Sequence, residues 1–155
     1  MRVYLVQHGQ AKSEEEDPQR RLTEKGIGEV QKVANFLRAS ELRVDSVWHS
    51  GKARAQQTAE LLAQAVSAQD RVVQREGLGP KDQVETTKQA LEEAGRQVMV
   101  VGHLPFLGKL VALLVTASEA NEIVEFQFGG VVCVERRNDG KWKIAWMITP
   151  SLLNG

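Results

Sequence analysis

The sequence predicts an α/β fold of three layers: a mostly parallel sheet with helices on both faces, closed by a C-terminal antiparallel hairpin. Three observations carry that prediction. Short apolar runs alternate with segments of helical periodicity through the first two-thirds of the chain. The pattern then changes to two strand-like segments around Asn138-Asp139-Gly140, a strong hairpin turn signal. The length of 155 residues suits a single domain spanning 1–155 with a substantial core.

The elements follow in order. Val3-Tyr4-Leu5-Val6, closed by His8-Gly9, reads as a buried central strand. Gln10 to Arg21 is polar, carries Glu14-Glu15-Glu16-Asp17-Pro18, and reads as a loop with a solvated acidic run. Thr23 is placed to cap a first helix whose face is Ile27, Val30, Val33, Ala34 and Leu37. Ser46 to His49 is a second strand, after which Ser50 is expected to cap a helix bearing Ala55, Ala59, Leu62 and Val66. Arg71 to Gln74 is a third strand. The turn residues Gly77, Gly79 and Pro80 lead to a helix with Val84, Leu91 and Ala94 on one face. Val98 to Val101 is the clearest strand, ending at Gly102-His103-Leu104-Pro105 before a helix with Leu107, Leu110, Val111 and Leu114. The hairpin strands are expected over Val131–Glu135 and Lys143–Thr149.

Composition narrows the function. Twenty basic residues balance twenty acidic ones, so the basic excess usual in nucleic-acid-binding domains is absent. The three tryptophans, Trp48, Trp142 and Trp146, are spaced as packing residues and not as a base-stacking platform. Lone Cys133, in Val131-Val132-Cys133-Val134, is expected to be buried and inert, and no His/Cys cluster suggests a metal site. No apolar run reaches the roughly 20 residues of a membrane span, and the N-terminus lacks signal-peptide features. A cytoplasmic protein is expected.

In open parallel sheets ligands bind beyond the carboxyl ends of the strands, and three such ends here carry reactive or cationic groups. Strand one delivers Gln7-His8-Gly9, strand two delivers His49-Ser50 shortly before Arg54, and strand four delivers Gly102-His103. Two imidazoles and a guanidinium could thus converge on one edge, near helix N-termini that favour anions. His49 reads more simply as the end of its strand beside Trp48.

With these residues the sequence resembles the histidine phosphatase superfamily, whose fold is that of the phosphoglycerate mutases. Leu22-Thr23-Glu24-Lys25-Gly26, Ser50 to Thr58 with Arg54, and Val101-Gly102-His103-Leu104-Pro105 are most similar to its small phosphohistidine phosphatase (SixA) branch. The resemblance runs from Val3 to about Pro150. It implies a phosphatase needing neither metal nor other cofactor, with His8 as the nucleophile that becomes phosphorylated. Gln7, Arg54 and His103 would line the phosphate pocket with it. These roles are chemically consistent. A nucleophilic imidazole must be neutral with one nitrogen free. Arginine presents a fork to phosphoryl oxygens, and a protonated His103 would add donor charge as the transition state forms.

The sequence departs from the family at two points. Gln7 replaces the arginine of the Arg-His-Gly motif, removing one charge-assisted contact, about 1.5–3 kcal/mol. Gln10 stands where an acidic residue is common in this branch. Glu76 and Asp82, after strand three, are the remaining candidates for a proton donor, each read more simply as an exposed loop carboxylate. Expelling imidazole demands less acid than expelling an alkoxide, because a ring of pKa about 6.5 leaves as a neutral group. The expected substrate is therefore a protein phosphohistidine. The alternatives are a small phosphomonoester, or a phosphate-binding regulatory module with little turnover.

Overall fold

A computed structural model describes residues 1–68 and 71–153. Six strands form one sheet: β1 (Arg2–Gln7), β2 (Ser46–His49), β3 (Val72–Gln74), β4 (Val98–Gly102), β5 (Val131–Arg136) and β6 (Trp142–Ile148). Their order is β3-β2-β4-β1-β5-β6, parallel from β3 through β1 and antiparallel from β1 to β6. Four helices accompany them: α1 (Glu24–Ala39), α2 (Ala53–Ala65), α3 (Val84–Ala94) and α4 (Phe106–Thr116). The predicted α/β architecture with its C-terminal hairpin is the one observed.

The central strands are apolar on both faces because both faces are covered. Tyr4, Val6, Met99, Val101, Val131 and Cys133 pack with α1 and α2. Their neighbours Val3, Leu5, Val98, Val100, Val132 and Val134 pack with α3 and α4 on the other side. This alternation is the two-residue period of a strand, and it places Cys133 fully in the core. The order of connections explains which helix lies where. Passing from β1 to β2 to β3 moves one way across the sheet, and passing from β3 to β4 moves back. Crossovers of one hand then deposit α1 and α2 on one face and α3 on the other. Next to each other at the centre, β1 and β4 have helices that leave toward opposite faces, which opens a crevice beyond their carboxyl ends.

Several local expectations are revised. Thr23 does cap α1, accepting from Gly26 N at 2.9 Å. Ile27, however, is 39% exposed, because one turn into α1 it points away from the sheet. Ser50 is not the cap of α2; Lys52 holds that position with no side-chain bond. Asp17 is buried and not solvated, since it ties its own loop together: its carboxylate accepts from the backbone of Gln19 and Arg21 and from Arg21 Nε at 2.8 Å. Among the described residues, no helix is long and apolar enough to cross a membrane.

Candidate active site

The end of β1 is fixed before any side chain is considered. His8 N donates to the Gly102 carbonyl at 3.0 Å, so the ladder with β4 continues one residue past the strand. Gly9 N then donates to Thr58 Oγ1 at 3.0 Å, while Thr58 Oγ1 donates to the Arg54 carbonyl at 2.8 Å. One threonine hydroxyl thereby binds the first turn of α2 to the turn that carries His8. A glycine is needed at position 9, where a Cβ would lie 2.8 Å from the Val30 side chain.

His8 is buried, and its Nδ1 lies 2.7 Å from the Gly9 carbonyl. A carbonyl only accepts, so Nδ1 carries the proton and Nε2 of the neutral ring holds a free lone pair. Burial lowers the His8 pKa to about 4, with Arg54 and Arg20 adding to the effect and the Gly9 bond opposing it. The ring is therefore neutral near pH 7.

His103, at the end of β4, stands beside it with ring centroids 5.1 Å apart. Its Nε2 is 2.7 Å from Ser50 Oγ, and its buried Nδ1 has no hydrogen-bond partner. Burial, then the proximity of His8, Arg54, Lys52 and Arg20, lowers its pKa to about 3. The condition set for a donor charge on His103, that the ring be protonated, is therefore not met in the free site: burial first, and then the surrounding positive charge, keep the ring neutral. A neutral ring still offers one N–H.

Arg54 lies half-buried in the first turn of α2, its pKa lowered by burial and by Arg20. Arg20 reaches the same site from the loop between β1 and α1. That loop folds back through an Ala11–Leu22 bridge, and the Leu22 amide donates to Gln57 Oε1 at 2.7 Å. Arg20 itself adopts a positive φ of 52° and donates Nε to the Lys12 carbonyl at 3.1 Å. Gln7 is 7% exposed, and its Oε1 is buried without a partner. Phe128 has its ring 5.6 Å from that of His8.

The other candidates lie further out. Glu76 and Asp82 are exposed on the rim of a cleft shared with Ser50 and Lys52, and Asp82 Oδ2 accepts from Gly79 N at 2.7 Å. Buried His49 accepts from Gly51 N at 3.0 Å through Nδ1, which shapes the turn after β2. Among the described residues no three His, Cys, Asp or Glu side chains are grouped to hold a metal ion. Arg20, Ser50, Thr58 and Phe128 were not singled out as site residues from sequence. Ser50 and Thr58 lie at the two ends of a recognised motif, whereas Arg20 and Phe128 carry no local signal.

This geometry accords with comparisons to known proteins. The sequence profile of the Histidine phosphatase superfamily (branch 1) matches residues 3–79, the stretch that holds His8, Arg20 and Arg54. The chain belongs to this superfamily. It is 28% identical to the phosphohistidine phosphatase SixA of Escherichia coli (strain K12), over 97% of this chain and 94% of that protein. The structure of the protein histidine phosphatase SixA complexed with tungstate superposes with a TM-score of 0.85 at 27% identity, covering 98% of this chain and 99% of that one. An alpha-ribazole phosphatase from Shigella flexneri shares the fold, with a TM-score of 0.80 at 16% identity and 97% of each chain covered. As a superfamily member of the SixA type, the chain is a phosphatase.

Proposed function

We propose that this superfamily member is a phosphohistidine phosphatase acting on phosphorylated proteins, with His8 as its nucleophile. The observation that carries this reading is the Nδ1–H of His8 held by the Gly9 carbonyl, which leaves a neutral Nε2 facing a cationic surround. The similarity to SixA over nearly the whole chain supports the substrate class.

In the first step His8 Nε2 forms a bond to phosphorus as the phosphorus–nitrogen bond of the substrate breaks. The substrate ring, protonated on its other nitrogen, leaves as neutral imidazole. Water then attacks phospho-His8, releasing phosphate and restoring the free ring. Arg54 and Arg20 hold the phosphoryl oxygens, the Gln7 amide and a His103 N–H add donors, and the phosphoryl dianion offsets the charge around His103. Arg20 supplies a positive charge in a pocket where Gln7 brings none.

Incubation with a radiolabelled phosphohistidine protein tests the reading. Acid-labile phosphate should be trapped on the wild-type chain and absent from His8→Ala. Equal labelling of the two, or none on either with no phosphate released, overturns it.

A further inference from the structure

A cleft of about 360 Å³ opens beside the nucleophile, lined by Gln7, Gln10, Phe126, Gln127, Phe128 and Ser151 among others. Two features of its wall have no task in holding phosphate. Phe128 is 43% exposed, although most large apolar side chains in this chain are buried. It does not hang free. Gly129 N donates to the Gln7 carbonyl at 2.9 Å, and Gly130 N closes the turn onto the Gln127 carbonyl at 2.9 Å. Gly129 has φ +73°, a conformation open to glycine, and this tight turn holds the phenyl ring 5.6 Å from the His8 ring at 39°. The second feature is the buried, unpartnered Oε1 of Gln7. A carbonyl oxygen repels a phosphoryl oxygen and accepts from a ring N–H.

We infer that this cleft is the subsite for the departing imidazole: Phe128 packs against the ring of the substrate histidine, and Gln7 Oε1 accepts its N–H. This rests on the phosphohistidine reading and specifies how the site recognises that substrate. An aromatic face favours a planar ring over an alkyl or amino leaving group through offset stacking. Exchanging arginine for glutamine at position 7 has the same sense, since it gives up a charge on the phosphate side and gains an acceptor for the leaving group. Arginine offers no acceptor at all.

The test compares kcat/KM for a phosphohistidine peptide with that for phosphoramidate, whose phosphorus–nitrogen bond carries no ring. Phe128→Leu keeps the apolar bulk and removes the aromatic face; Phe128→Trp keeps a face. Phe128→Leu should lower the ratio of the phosphohistidine to the phosphoramidate value about three- to tenfold, and Phe128→Trp should retain the preference. Urea midpoints matching that of the wild type report that the variants fold. If both substrates fall together, Phe128 only supports the His8 ring and the inference fails. If neither changes, the cleft does not receive the ring and the inference fails as well. A wild-type enzyme that hydrolyses phosphoramidate but no phosphohistidine peptide overturns the substrate reading instead, independently of the variants.

Discussion

At the scale of the residue, the site is a problem in charge placement. His8 has to be neutral to act as a nucleophile, yet the phosphoryl group it attacks calls for positive charge nearby. Burial and the two arginines resolve this by lowering the His8 pKa to about 4. Arg20 is the member of that set with the most elaborate support: a positive φ, a bond to the Lys12 carbonyl, and a loop tied together by buried Asp17. Replacing Arg20 by Gln should weaken tungstate or phosphate binding about ten- to a hundredfold, the usual worth of a charge-assisted contact. Arg20→Lys should keep part of the affinity as a point charge without the fork. Calorimetric titration reads both, and undiminished affinity in Arg20→Gln would show that its guanidinium does not meet the anion.

Elements matter through the way they are joined at the strand ends. The turn after β1 is held to α2 by Thr58 and to α1 by close glycine contacts. A Cβ on Gly26 would overlap the Gln10 carbonyl, so α1 can approach this turn only with glycine there. Thr58→Val preserves shape and removes the acceptor of the buried Gly9 N–H, which should cost about 1–3 kcal/mol in urea unfolding. Thr58→Ser, which restores the hydroxyl, should recover most of that loss; equal destabilisation by both variants would point to packing of the methyl group. These joints explain why the motifs were legible in the sequence while their assembly was not. Gly-His after an apolar run marks a buried strand reaching a ligand edge. That Ser50 turns to His103 instead of capping α2 depends on β2 and β4 lying side by side, which local sequence does not encode. Arg20 was hidden for the same reason, since its position requires the loop to fold back through the Ala11–Leu22 bridge.

For the whole molecule, all three histidines are buried and have lowered pKa values, His8 to about 4, His103 to about 3, and His49 in the same direction. Above the ordinary histidine pKa both folded and unfolded chains are neutral at these positions, and stability is unaffected. As pH falls below about 6.5, the unfolded chain takes up protons that the folded chain refuses, so stability is lost progressively. Each such proton contributes roughly 1.4 kcal/mol per pH unit. Urea midpoints should therefore drop between pH 7 and pH 5, before most carboxylates titrate, and His103→Asn should flatten the drop. A midpoint independent of pH over this range would show that the histidines titrate alike in both states. Asp17, held at about 2 chiefly by its bond to Arg21, acts in the same sense at lower pH.

The sequence alone determined the layers, the strand and helix order, and the three strand ends that carry His8, the approach to Arg54, and His103. It could do so because buried strands and amphipathic helices impose periods of two and 3.6 residues on the chain, and reactive residues at strand ends interrupt them. Tertiary structure decided the protonation of both imidazoles, the arrival of Arg20, the partner of Ser50, and the placing of Phe128 against His8. Each of these depends on groups far apart in sequence coming within a few ångströms in a medium of low dielectric. There, burial and neighbouring charge, more than residue type, set which atom is free to react.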